Sequence, residues 1–90
     1  MEFNLADLFE AVADAVPGRV AAVGGAQRRT YAQLDDRSTR LAHVLAGRGV
    51  EPGMHVALYM HNSVEHLEAM FACYKRRAVP INVNTRYVDD

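Results

Sequence analysis

Met54-His55-Val56-Ala57-Leu58-Tyr59-Met60, the stripe Val64, Leu67, Phe71 and Tyr74, and the run Val79-Pro80-Ile81-Asn82-Val83 together decide the fold of this chain. The first run is largely apolar without alternation, the pattern of a strand buried on both faces. Asn62 can cap a helix whose first turn holds Glu65 and whose apolar spacing carries on to Lys75-Arg76-Arg77. Val79 to Val83 reads as a second strand. Strand, helix of about fifteen residues and strand make a βαβ unit, whose crossover is almost always right-handed and sets the two strands parallel.

Upstream, Asn4 is a good N-cap, and Leu5, Leu8, Phe9, Val12 and Val16 recur at the spacing of one helix face, with Asp7 near the positive end of the helix dipole. The spacing predicts a helix over Leu5 to Ala15, ended by Pro17-Gly18. Arg19 to Val23 then reads as a short strand, Gly24-Gly25 as a two-residue turn, and Ala26 to Arg29 as the antiparallel partner. Thr30 and Gln33 form a capping box that opens a second helix. Its buried face is expected at Leu34, Leu41, Val44 and Leu45, and its wet face at Asp35, Asp36, Arg37 and Arg40. Gly47 or Gly49 can end it in a left-handed cap, before a turn at Val50-Glu51-Pro52-Gly53. Thr85 to Asp90 look like the lead into another helix.

Composition restricts the function classes. Ninety residues with 50% hydrophobic and 23% charged content describe one globular unit or less. The net charge is -1 and neither half is enriched in one sign, so a nucleic-acid surface is not expected. No apolar stretch reaches membrane-spanning length, the start Met1-Glu2-Phe3-Asn4 lacks the basic, then apolar form of a secretory signal, and the one cysteine, Cys73, fits a reducing cytoplasm. Ordering 90 residues costs on the order of 135 kcal/mol at about 1.5 kcal/mol each. Folding a chain of 10.0 kDa removes about 9,000 Å² of surface, and if about 60% is apolar this returns about 135 kcal/mol at most. The two cancel, so the segment by itself is expected to be marginally stable.

Two stretches carry a resemblance. Arg29-Thr30-Tyr31-Ala32-Gln33-Leu34 resembles the Thr-Tyr-x-Glu-Leu segment of the AMP-forming acyl-CoA synthetase family, with Gln33 preserving the cap in place of Glu. Arg77 to Asn84 resembles that family's Gly-Ala-Val-x-x-Pro-Leu-Asn segment, with Asn84 on the family's Asn, Arg77 where Gly is common and Asn82 where Pro is common. These departures and the pair Arg86-Tyr87 are similar to the branch that acts on fatty and other lipophilic acids. The resemblance implies an α/β fold, a short antiparallel ribbon plus a βαβ unit, forming the N-terminal part of a larger adenylate-forming ligase domain. It implies that residues 1–90 end before the nucleotide-binding loop. For the full-length enzyme it further implies ATP, Mg and coenzyme A as cofactors, a carboxylic acid as substrate, and the remainder of the ligase domain as the partner of this segment.

The residues themselves supply no candidate chemistry. No Gly-rich Ser/Thr loop ending in Lys is present to cradle a triphosphate. His61 and His66 are five apart and turn to different helix faces, His43 stands alone on the second helix, and His55 and His61 lie a strand's length apart, so no metal site is expected. Cys73 reads as a small buried hydrophobe. Lys75, Arg76 and Arg77 are expected to complement the helix dipole and project into water. His61-Asn62-Ser63 falls at the carboxyl end of a parallel strand, where ligands of open sheets bind, but capping by Asn62 accounts for it. The expectation is therefore no catalytic, no cofactor-binding and no metal-ligating residue in this segment. The leading reading is the N-terminal part of an ATP-dependent acid–CoA ligase, silent alone and with an exposed sheet edge; the alternatives are a closed α/β interaction module unrelated to ligases, or a truncated product without a selected role.

Overall fold

The computed structural model describes residues 5–24, 26–59 and 63–83. In chain order the elements are α1 (Leu5–Ala15), β1 (Val20–Gly24), β2 (Gln27–Thr30), α2 (Tyr31–Gly47), β3 (His55–Leu58), α3 (Val64–Lys75) and β4 (Val79–Asn82). β1 and β2 form an antiparallel ribbon with a bulge between Val20 and Ala22. β3 and β4 run parallel in the register His55 to Val79 through Leu58 to Asn82. The expected ribbon and βαβ unit are thus both present. The expected positions of Asn4, Gly25, His61, Asn62, Asn84, Arg86 and Tyr87 lie outside the described residues.

Local signals set the helix ends. Thr30 Oγ1 accepts from the Gln33 N–H at 3.1 Å and Gln33 Oε1 accepts from the Thr30 N–H at 2.9 Å, the reciprocal capping box. The Tyr31 and Ala32 amides donate to the carbonyls of Arg19 and Pro17, so the ribbon closes the start of α2. At its other end the Gly49 amide donates to Ala46 O and the Val50 amide to Leu45 O, with Gly49 at φ 88°. α3 ends in the same hydrogen-bond pattern, Arg77 to Tyr74 and Ala78 to Cys73, with Arg77 at φ 62°. Arg77 thus holds the left-handed conformation for which glycine is the unstrained choice, and the tight helix-to-strand turn survives the departure from Gly. α3 is capped by Ser63, whose Oγ accepts from the His66 N–H at 3.1 Å, and not by Asn62; the helix begins one residue later and is 12 residues long.

Packing departs from the spacing in instructive ways. In α1 the buried residues are Ala6, Phe9 and Ala13, while Leu5 and Leu8 are exposed. Small side chains let the helix approach closely, and Phe9 stacks on Phe71 with ring centroids 4.2 Å apart. In α2 the buried line is Leu34, Ser38 and Ala42; Val44 is exposed, and Leu41 and Leu45 are half-buried. Ser38 is fully buried because its hydroxyl donates back to Leu34 O at 2.8 Å. Gly24 pairs with Gln27 inside the ribbon and does not form its turn. A Cβ there would sit 3.2 Å from Val64 Cγ2, so β1 closes onto the start of α3 where only hydrogen fits comfortably.

α3 lies at the centre, touching α1, α2, both ribbon strands and both parallel strands. Val64, His66, Glu68, Ala69, Ala72 and Cys73 are buried on it, covering more of its circumference than the expected stripe through Leu67, Phe71 and Tyr74. The parallel pair is covered on one face only. Leu58 is buried towards α3, whereas Tyr59, Val79 and Ile81 are exposed at 71%, 44% and 42%. The expectation of a strand buried on both faces is corrected: among the described residues no second layer covers it.

Candidate functional site

In an open α/β sheet the carboxyl ends of the strands are where a ligand would sit, and here that end is built from β4 and the first turn of α3. His66 is 7% exposed, and its Nε2 lies 2.8 Å from Asn82 Oδ1. The pair ties helix to strand. Asn82 departs from the Pro common in the family segment, and the structure gives that departure a purpose, since the amide satisfies a buried imidazole that proline would leave without a partner.

Two charged clusters on α3 organise the rest. Glu68, 5% exposed, accepts through Oε2 from Arg29 Nε of β2 at 3.1 Å and from Arg37 Nε of α2 at 2.6 Å. Lys75 donates to Asp35 Oδ1 of α2 at 2.6 Å and to Glu10 Oε2 of α1. Its side chain is only 8% exposed. Burial alone would lower the Lys75 ammonium, but the hydrogen bonds and charges of Asp35 and Glu10 outweigh it and hold the group above the usual lysine range. Lys75 therefore does not project into water as its place in the last turn suggests. Arg76 Nε donates to Val50 O at 2.7 Å, and Arg77 reaches Asp7 at 3.5 Å across the surface.

These clusters were missed by periodicity. A usable signal was present: Glu68 is flanked at i±4 by Val64 and Ala72, and Lys75 at i−4 by Phe71, so each charge lies inside an apolar stripe.

The remaining singled-out residues do not converge. His43 and His55 are exposed, and among the described residues no three His, Cys, Asp or Glu side chains gather to hold a metal ion. Cys73 is fully buried, and burial pushes its thiol up, away from the reactive thiolate. The glycines at positive φ, Gly49 and Gly53, end a helix and make a turn, neither leading into a helix, and the first three amides of α2 are already taken by Arg19 O, Pro17 O and Thr30 Oγ1. What this arrangement can do is hold three helices, the ribbon and the sheet in one geometry. No described helix is long and apolar enough to cross a membrane.

A scaffold of this form, a capped-helix ribbon feeding a one-sided βαβ unit, has a known home. Residues 9–90 match the family model of the AMP-binding enzymes, and the chain belongs to that family. It is 51% identical over 90 residues to the 3-oxocholest-4-en-26-oate–CoA ligase of Rhodococcus rhodochrous, covering 100% of this chain and 16% of that relative. It is 48% identical over 86 residues to the medium/long-chain-fatty-acid–CoA/3-oxocholest-4-en-26-oate–CoA ligase of Mycobacterium tuberculosis, covering 96% of this chain and 16% of the relative. Among solved structures, the N-terminal domain of FACL13 from Mycobacterium tuberculosis superposes with a TM-score of 0.89 at 34% identity, over 94% of this chain and 22% of that one. The Klebsiella oxytoca NpsA N-terminal subdomain, in complex with 3-hydroxybenzoyl-AMSN, superposes with a TM-score of 0.89 at 30% identity, over 92% of this chain and 21% of that one. The chain thus spans about a sixth of the length of these curated relatives, as an N-terminal segment of an acyl-CoA synthetase fold. An interaction module unrelated to ligases is set aside by the family match.

Proposed function

We propose that this chain is the N-terminal scaffold segment of an ATP-dependent acid–CoA ligase acting on a fatty or similarly lipophilic carboxylic acid in the cytoplasm. The observation that carries this reading is 51% identity along the whole chain to a CoA ligase of which it spans 16%. The segment itself carries no catalytic, cofactor-binding or metal-ligating residue. It forms a partial subdomain over residues 1–90, lying before the nucleotide-binding loop. The acyl-adenylate step with ATP and Mg, and transfer to coenzyme A, belong to the portion of the ligase that follows. The lipophilic character of the acid is supported by the relatives named above and by the Arg86-Tyr87 pair in the fatty-acid branch of the family.

The test is a chimera in which this segment replaces the corresponding first sixth of the Rhodococcus rhodochrous ligase. Acid-dependent ATP–pyrophosphate exchange should be retained to within about tenfold of the parent, a barrier change of about 1.4 kcal/mol or less. The 90 residues alone should give none. A folded chimera inactive on every lipophilic acid tried, or exchange by the isolated segment, overturns the proposal.

A further inference from the structure

The buried carboxylate of Glu68 does more than tie the ribbon to α2. Arg29 and Arg37 both reach it through Nε, at 3.1 and 2.6 Å and on the same oxygen, Oε2. Each guanidinium therefore spends its inner donor on the carboxylate and keeps its outer nitrogens for other partners. On Arg29, Nη1 donates to the Arg28 carbonyl at 3.0 Å, which leaves Nη2. On Arg37, no group among the described residues takes either Nη.

Both side chains line one basin of about 290 Å³, whose remaining lining is Gln33, Asp36 and Arg40 of α2. Gln33, Asp36, Arg37 and Arg40 recur at i, i+3, i+4 and i+7, so one face of α2 makes one wall and Arg29 of β2 makes the other. Gln33 has committed Oε1 to the Thr30 cap, so its side-chain amide nitrogen remains a donor. Asp36 is the acidic member of the lining, and its Oδ2 lies 3.1 Å from Arg40 Nη2. Three guanidiniums, those of Arg29, Arg37 and Arg40, thus face two carboxylates, those of Glu68 and Asp36, and the site keeps a net +1.

The inner wall is held in advance. The side chains of Glu68 and Arg29 are 7% and 17% exposed, so the arginine gives up little rotamer freedom when it takes a ligand, unlike a free surface side chain. A planar carboxylate is satisfied by the fork of a single guanidinium. Donors that converge from two walls instead match a tetrahedral anion with an oxygen to offer each of them.

We infer that this basin binds a phosphoryl oxyanion, taken between Arg29 Nη2 on the ribbon side and the Arg37 Nη groups on the helix side, with Arg40 and the Gln33 amide at the rim. The site is additional to the ligase chemistry, which the proposed function assigns to the polypeptide that follows. It does not depend on that reading.

The full-length chimera carrying ¹⁵N-arginine only within residues 1–90 tests it, because anions bound elsewhere in the ligase leave these side-chain signals unmoved. Titrated with inorganic phosphate against sodium chloride of equal ionic strength, the Nε–H resonances of Arg29, Arg37 and Arg40 should shift along one saturable curve. Half-saturation is expected at about 1 mM, the yield of two charge-assisted hydrogen bonds. Arg76, held by Val50 O, and Arg48, exposed at the far end of α2, should stay in place. In Arg37→Gln the affinity read at Arg40 should fall at least about fivefold, with Arg76 unmoved as the sign of an intact fold. Arg40→Gln, at the exposed rim, should weaken it about twofold. Adenosine monophosphate separates the sources: equal affinity means a free phosphate ion suffices, and binding about tenfold tighter means that the phosphoryl group is carried by a larger ligand. Shifts that drift without saturating, equal shifts at Arg48, an affinity unchanged by Arg37→Gln, or saturation by acetate at the same concentration would each overturn the inference.

Discussion

Glu68 and Lys75 stand seven residues apart on one side of α3, and each is clamped between two opposite charges from other elements, Glu68 by Arg29 and Arg37, Lys75 by Glu10 and Asp35. The two clusters have opposite net charge and face the same helix, α2. Arg37 and Asp35 of α2 are two residues apart, so sliding α2 along α3 would bring like charges together. The clusters act as a register device for the helix pair, at the cost of desolvating two charges.

Glu68 is the more buried centre, so its replacement is the more damaging. Glu68→Ala leaves Arg29, only 17% exposed at the side chain, without its counter-ion and is expected to cost about 3 kcal/mol. Arg37→Ala removes a half-exposed partner and should cost about 1 kcal/mol. Urea unfolding of the two variants decides the matter; equal losses would mean that the buried carboxylate has no special weight.

Lys75 is the chain's single lysine, and comparison with Lys75→Met separates its contribution from those of the other groups that ionise at alkaline pH. Its folded value is raised above the ordinary value near 10.5. The stability it contributes is therefore fully present below about pH 10.4 and is lost as the pH rises through the folded value. Lys75→Met should cost about 1–2 kcal/mol at neutral pH, because Glu10 and Asp35 are exposed enough to rehydrate. Thermal unfolding from pH 9 to 12 should fall more steeply for the parent than for Lys75→Met, and parallel curves would refute the assignment.

Arg77 holds φ 62° at a position where α2 uses Gly49 for the same turn. Arg77→Gly relieves strain of about 1 kcal/mol and gives up only a 3.5 Å surface pair with Asp7, so a net gain of about 0.5–1 kcal/mol is expected. Arg77→Val, β-branched, should destabilise. A calorimetric midpoint that falls for Arg77→Gly would show that the arginine contributes more than its backbone strain costs.

Asn82→Ala strands the His66 ring nitrogen in a site 7% exposed and should cost about 1–2 kcal/mol. Asn82→Pro restores the residue common in the family segment but not the partner. It is expected to be no better than Asn82→Ala unless His66 is changed to an apolar residue as well. A double-mutant cycle on His66 and Asn82 measures this directly, and a coupling energy near zero would dismiss the pair.

The Thr30–Gln33 box, the bounds of α1, the start and left-handed end of α2 and the parallel βαβ connection were legible in the sequence, whereas the start of α3 was read one residue early, at Asn62 in place of Ser63. Each is fixed by residues within about four positions of one another, or by the single rule that a strand–helix–strand connection crosses one way. Which faces are buried was not legible. Apolar spacing favoured Leu5, Leu8 and Val44, and the structure exposes all three, because Ala6, Ala13, Ser38 and Ala42 permit a closer approach of helices that only the assembled geometry rewards.

By itself, then, the sequence determined the elements, their order and the family, since caps, turns and periodicity act over a few residues. Only the tertiary structure decided that Lys75 is buried, that Glu68 joins the ribbon to α2 and that His66 answers to Asn82. Those partners lie 16 to 65 residues apart, and no local rule can pair charges across such separations. The pairing is settled when α1, α2 and the ribbon close around α3, where a buried charge must find its opposite or the fold does not form.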